Sequence, residues 1–395
     1  MLSNGLRDFA GKKVLLLQGP IGPFFYRFAK LLKKHGAKVH KINFNGGDLI
    51  FYPMNSTNYT GDFENLETYL HKFCASKNID AIIVFNDCRP IHAIAKNVAS
   101  VLNINFGVFE EGYIRPDFIT FENDGVNGHS VLPKDRDFYD QIKISANIKI
   151  KKIGYTFSLM SFYAFSYWLG AFLFSWYFNN SLHHRSLSPS EMIPWVISFW
   201  RKFKYLQTEK RSKLTIKNIT KRYFLVALQV HNDTQIDYHF DRGNVESFIE
   251  DVLMSFGRYG ELWQYLVIKH HPMDRGYREY SSLINNLAVR YGISDRVIYI
   301  HDENLPTLLK NAIGCVVINS TVGLSALHHN CPVKVYGNSF YDIEGLAFGG
   351  SLDDFWKNVD KDSIDQELYT KFRNHLISRT QINGSFYTNV EFFNP

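Results

Sequence analysis

The strongest constraint on the fold is a rhythm that the chain runs through twice. Short apolar stretches alternate with longer amphipathic ones, first over residues 14–109 and again over residues 223–336. In the first series, 14–18, 38–44, 81–86 and 105–109 have the length and composition of strands, whereas 24–35, 66–76 and 92–102 repeat their hydrophobic residues at helical spacing. The second series predicts strands at 223–230, 265–270, 297–300, 315–319 and 333–336, with helices at 244–257, 277–291, 305–310 and 323–329 between them. Strand–helix alternation produces a parallel sheet covered by helices, and such sheets bind ligands beyond the carboxyl ends of their strands. A chain of 395 residues exceeds one core, so the expectation is α/β with two Rossmann-like domains, 1–145 and 216–350, facing a cleft. A helical stretch, 351–395, follows and is expected to cross back to the first domain.

Between the two series lies 146–215, expected as a helical, apolar and basic insertion. Its residues 153–178 contain no charge and many Phe, Tyr and Trp, with Lys149, Lys151 and Lys152 before them and Arg185, Arg201, Lys202 and Lys204 after. The length would span a bilayer, but the serines and tyrosines make it amphiphilic, and a span would separate the two domains. The reading is therefore a membrane-associating patch, with aromatics in the interface and the flanking cations on anionic headgroups. A net charge of +6 and a pI near 8.9 fit anionic partners, while no basic tail or RNA-reading signature points to nucleic acid. Cys74, Cys88, Cys315 and Cys331 lack zinc-site spacing and are too few for a disulfide scaffold, so buried thiols in a cytoplasmic protein are expected. Residues 1–13 carry no apolar core of the secretory kind.

The densest chemistry lies in 109–128, FEEGYIRPDFITFENDGVNG, which reads as a connection following a strand. It holds Glu110, Glu111, Asp117 and Glu122 together with Arg115 and Asn127, and suits the grip of a polar, charged substrate. Arg115 can meet a sugar carboxylate or clamp Asp117 or Glu122 within the protein. Gly19 and Gly22, in the turn after the first strand, would let an acceptor approach the backbone, and their spacing does not match the dinucleotide fingerprint. Asp87-Cys88-Arg89 and Asp124 are further acceptor contacts that turn chemistry explains equally well. Lys269, His270, His271 and Pro272 end a strand where cationic or hydrogen-bonding groups can hold a leaving phosphate; of two adjacent histidines at most one faces a ligand. Asn319, Ser320, Thr321 and Gly323 lead from a strand into a helix whose first N–H groups can receive an anion.

The stretch 111–128 resembles the signature of the capsule polysaccharide biosynthesis and export family of Gram-negative bacteria, in its single-module KpsS/LipB form. Further matches follow in order at 228–235 (LQVHNDTQ), 268–274 (IKHHPMD) and 319–323 (NSTVG). Phe118 and Phe121 stand where the family more usually has Trp and Leu, and His231 and Asn232 are less familiar there. The resemblance implies a GT-B fold and a β-Kdo glycosyltransferase that takes Kdo from CMP-Kdo to a phosphatidylglycerol-type lipid. It also implies work at the cytoplasmic face of the inner membrane, beside other capsule assembly proteins and without a metal or cofactor. Asp233, with Gln229 and Gln235 on the family's Gln-x-x-x-Asp-x-Gln pattern, is then the candidate nucleophile. A β-linked donor giving a β-linked product means retention, most simply by two displacements, with Glu110 or Glu111 taking the acceptor's proton. An elongating transferase, a nucleotide-sugar epimerase and a non-catalytic export adaptor are the rival readings.

Overall fold

Val14, Leu15, Leu16 and Leu17 are all fully buried, because successive residues of the first strand point to opposite faces of a sheet that is dry on both sides. The computed structural model describes residues 5–143, 150–154, 156–179, 182–183, 192–231, 243–359, 364–388 and 390. Its strands are β1 Lys13–Leu16, β2 Lys38–Asn43, β3 Thr57–Asn58, β4 Ala81–Phe85, β5 Asn105–Glu111, β6 Phe118–Asn123, β7 Tyr223–Ala227, β8 Tyr265–Lys269, β9 Val297–Ile300, β10 Gly314–Val317, β11 Val333–Val335 and β12 Gln381–Asn383. Helices α1 to α8 are Phe24–Lys34, Gly46–Phe51, Leu66–Lys77, Pro90–Val101, Arg136–Asp140, Phe157–Leu173, Met192–Thr208 and Lys210–Asn218. Helices α9 to α14 are Val245–Tyr259, Ser281–Arg290, Leu305–Asn311, Val322–His328, Leu352–Asn358 and Gln366–Thr380.

Two compact units divide the chain: one holds 1–131, 145–189 and 374–395, the other 132–144 and 190–373. In the first, a seven-stranded sheet runs in the order β12-β6-β5-β4-β1-β2-β3. The strands from β5 to β3 are parallel, while β6 is antiparallel to β5 and β12 antiparallel to β6. Leu15, Leu17, Ile82, Val84 and Val108 pack on one face with α3 and α4, and Val14, Leu16, Ile83 and Phe109 pack on the other with α1. The second unit has a five-stranded parallel sheet, β11-β10-β7-β8-β9, around a core that includes Phe224, Val226, Phe248, Phe256, Leu266 and Trp356. Asn244 starts α9 by accepting the Ser247 N–H at 2.9 Å, the N-cap that its type favours.

Three expectations need correction. First, 110–128 is no open connection: Glu110 and Glu111 close β5, and 118–123 form β6, with Glu110 opposite Thr120 and Glu111 opposite Ile119. The carboxylates disguised a strand that is dry because β12, from the far end of the chain, covers its other edge. Second, the insertion expected over 146–215 is divided, α6 belonging to the first unit and α7 to the second. Third, the helical stretch predicted after residue 351 is two helices, α13 and α14, followed by β12.

Helix α6 meets α2 backbone to backbone. A Cβ at Gly46 would lie 2.1 Å from the Gly170 carbonyl oxygen, so only glycine permits this crossing. Tyr167, Gly170 and Ala171 are buried on that side, while Phe157, Phe162, Phe165, Leu169, Phe172 and Leu173 are exposed. In the other unit α7 shows a similar face, with Trp195, Phe199, Trp200 and Phe203 in solvent. No helix among the described residues is long and apolar enough to cross a membrane.

Candidate functional site

In the first unit the polar groups collect at the carboxyl ends of β1, β4 and β5, where a parallel sheet receives ligands. Glu110 accepts the Glu111 N–H through Oε1 at 2.9 Å, and its buried Oε2 has no hydrogen-bond partner among the described residues. Burial, reinforced by Glu111, pushes its pKa up to about 8, against the pull of Arg89 and Arg115. Glu111 is hydrogen-bonded by Tyr387 instead. The hairpin beyond is tightly built: a Cβ at Gly112 would sit 2.0 Å from the Phe118 carbonyl oxygen, leaving no room for a side chain.

The remaining signature residues serve that hairpin. Tyr113 donates its hydroxyl to Glu122 at 2.6 Å and accepts the Asn127 N–H at 2.6 Å; Ser130 donates to the other Glu122 oxygen at 2.6 Å. Burial lifts the Glu122 pKa to about 7, held back by these two donors. Asp117 accepts the Ile153 N–H at 2.8 Å, tying down the chain on its way to α6. Arg115, which precedes a cis bond to Pro116, donates to the Gly112 carbonyl at 3.3 Å, so the clamp on Asp117 or Glu122 is not the arrangement found among the described residues.

Two further groups stand beside them. Asp87 is buried and holds His129 Nδ1 at 2.8 Å, with Lys96 at 3.9 Å; sequence reading weighed Asp87 but missed His129, whose one signal was its place after Gly128. Arg89 reaches Gln18 at 2.9 Å, and Gln18 in turn donates to the Tyr167 hydroxyl at 3.1 Å. Gly19 and Gly22 line a recess with Lys41, Asp48 and Tyr167, none of which the sequence singled out.

The second unit also places its motifs at strand ends. Gln229, past β7, and Asn319, past β10, bond each other: Gln229 Nε2 donates to Asn319 Oδ1 at 2.9 Å and Asn319 N–H to Gln229 Oε1 at 3.2 Å. Asp233 and Gln235 lie outside the described residues. His231, just before them, pairs with the buried Asp274 of the motif at 268–274, which the Tyr280 hydroxyl also reaches at 3.4 Å.

Lys269 is buried and donates to the carbonyls of His270 and His301 at 3.4 and 3.3 Å, and burial lowers its pKa. His270 packs among Tyr280, Tyr299 and His301 with Nδ1 2.7 Å from the Tyr299 hydroxyl; burial, helped by His301, depresses it to about 3 and keeps it neutral. Both are buried at the end of β8, Lys269 at 8% and His270 at 1% exposure. The ring at the surface is His271, whose Nδ1 accepts the Met273 N–H in the turn that Pro272 begins. Ser320 caps the Val322 N–H at 3.2 Å, Thr321 is half-buried and Gly323 is covered by Tyr341. Glu209 braces this end from α8's threshold, accepting the His301 N–H at 3.0 Å.

Two α/β units with polar residues at the strand ends define the two-domain class to which GT-B proteins belong. The chain belongs to the capsule polysaccharide biosynthesis protein family, whose profile matches residues 80–387. It is 40% identical to Capsule polysaccharide export protein KpsS of Escherichia coli over 383 residues, 96% of this chain and 97% of that one. It is 37% identical to Capsule polysaccharide modification protein LipB of Neisseria meningitidis serogroup B over 406 residues, 100% of this chain and 96% of that one. A solved structure, Thermosulfurimonas dismutans KpsC, beta Kdo 2,7 transferase, is similar over 90% of this chain and 89% of that one, at 16% identity and a TM-score of 0.39.

Proposed function

We propose that the protein is a retaining β-Kdo transferase that moves Kdo from CMP-β-Kdo to a phosphatidylglycerol-type lipid and so starts the linker of a capsular polysaccharide. The family membership supports the pathway, and the ordered motifs at 111–128, 228–235, 268–274 and 319–323 support the chemistry. The observation that carries the reading is Glu110: a buried carboxyl at a strand's ligand end, with one oxygen unbonded and a pKa near 8, suits a general base.

The reaction takes two displacements. Asp233 attacks the anomeric carbon of Kdo as its bond to the phosphate oxygen breaks, and CMP leaves. The acceptor hydroxyl then attacks the same carbon, gives its proton to ionised Glu110 and releases the Asp233 carboxylate. Donor contacts are assigned to Gln229, Gln235, His271, Ser320 and Thr321; no metal is needed. The exposed aromatic faces of α6 and α7, with Lys151, Lys152, Lys202 and Lys204, would hold the enzyme on the cytoplasmic face of the inner membrane.

The test is transfer in vitro from CMP-Kdo, generated in place, to a fluorescent phosphatidylglycerol analogue, followed by mass spectrometry. One added Kdo, lost in a folded Asp233→Ala variant, is the expected result. Transfer only to a Kdo-primed lipid would make the protein an elongating enzyme, and no transfer with no CMP release would leave the export role carried in the Escherichia coli relative's name.

A further inference from the structure

The five-stranded sheet of the second unit reverses its direction of growth once. From β7 the chain steps outward to β8 and β9, then returns to the other side of β7 for β10 and β11. In open parallel sheets ligands settle beyond the carboxyl ends at such a reversal, which here is the crevice between β7 and β10. The segment leaving β7 borders it and is tied down on both sides. Gln229 exchanges its two hydrogen bonds with Asn319, past β10, whereas His231 is held by Asp274, past β8.

The tie on His231 engages the backbone and one ring nitrogen, and leaves the other nitrogen over. Asp274 accepts the His231 N–H through Oδ2 at 3.2 Å and the ring's Nδ1 through Oδ1. The Tyr280 hydroxyl approaches the same carboxylate at 3.4 Å, and the Tyr277 ring lies 5.6 Å from the imidazole. A carboxylate only accepts, so Nδ1 carries a proton, and Nε2 across the ring points away from Asp274. The His231 side chain is 19% exposed and that of Asp274 0%, so solvent meets the ring from the Nε2 side. Pinning the loop would need Nδ1 alone. A buried carboxylate that fixes an imidazole by Nδ1 and frees Nε2 is how proteins present histidine to a reacting group.

We propose that His231 Nε2–H binds the phosphate of the sugar nucleotide and stabilises it as it leaves. When the anomeric C–O bond breaks, its electron pair passes to the phosphate oxygen. The protonated ring donates a hydrogen bond to that oxygen, and the proton stays on the nitrogen. Asp274 does not touch the ligand; it is the positioning residue that sets the ring's direction. The role adds to the donor contacts already assigned, and it rests on the reading of CMP-Kdo as the donor.

Calorimetry with CMP, and with cytidine as the ligand that lacks the phosphate, tests the contact apart from any transfer. His231→Asn keeps a donor for Asp274 and removes the outward nitrogen. It is expected to weaken CMP binding about tenfold or more, with cytidine affinity and the urea midpoint unchanged. His231→Gln, whose amide reaches as far as Nε2, should recover part of the CMP affinity. If the Asn variant loses CMP affinity in this way although no protein transfers Kdo, the contact stands and the transferase reading falls. If Kdo transfer and CMP affinity are both unchanged in it, the contact falls and the transferase stands. Equal losses for CMP and cytidine, or a wild type that does not bind CMP, overturn the phosphate assignment. Should His231→Asn not fold, carbethoxylation of His231 in the native protein, located by peptide mass spectrometry, takes its place. Protection by CMP and not by cytidine is expected, and equal modification with and without CMP overturns the proposal.

Discussion

Glu110 and Glu122 sit on facing strands of one hairpin, Glu122 buried and Glu110 half-buried with its Oε2 out of solvent, yet they are held differently. Glu122 receives two hydroxyl donors at 2.6 Å and titrates near 7; Glu110 receives one backbone N–H, keeps an oxygen unbonded and titrates near 8. Burial raises both, and donors bring each part of the way back, two hydroxyls for Glu122 and one backbone N–H for Glu110. A carboxyl with both oxygens bonded by the protein's hydroxyls is architecture, whereas one left short of donors at a ligand end is available for chemistry.

The largest effect expected from this contrast is in rate. Glu110→Gln should lower kcat of Kdo transfer by about 10²- to 10⁴-fold, the usual contribution of a general base, while the protein remains folded. In the wild type, kcat/KM should climb as pH rises through about 8, since the base must be ionised, and the variant should lose that limb. Stability runs the other way. A carboxyl whose folded pKa is raised contributes fully below its unfolded pKa near 4.5, and that contribution is lost as pH rises through about 8; Glu110→Gln should flatten that decline in urea titrations.

Next in size, Glu122→Gln should destabilise the protein by about 1–3 kcal/mol in chemical denaturation, because Tyr113 and Ser130 lose an ionisable acceptor in a buried network. Equal rate losses in both variants would erase the distinction drawn between the two carboxyls. Smallest of all, Phe162→Ser with Phe165→Ser on the exposed face of α6 should leave the denaturation midpoint nearly unchanged but reduce sedimentation with anionic vesicles.

The β-α alternation was legible because each strand and helix declares itself over a few residues. Residues 14–17 read as a buried strand on composition alone. The hairpin was not legible, since Thr120 and Glu122 are buried through β12, whose register partner for Thr120 is Gln381. Nothing near residue 120 announces a partner so distant. The same limit hid Lys41, which reads as an ordinary polar position of an alternating strand until α2 and α6 close over it. His270 reads as a possible cation, and its neutrality comes from the packing of Tyr280, Tyr299 and His301 around it. The division of the apolar stretch between two units follows from contacts, not from composition.

Strand β12 also sets an order of events during translation. Every strand of the second unit leaves the ribosome before residues 381–383, so the five-stranded sheet can be complete while the seven-stranded one still lacks its edge. Until then β6 carries an open ladder of backbone donors and acceptors along its outer side, with Phe118, Ile119 and Phe121 beside it. The nascent protein is therefore most exposed to chaperones, and to mispairing with its neighbours on the polysome, in the interval just before its last strand arrives.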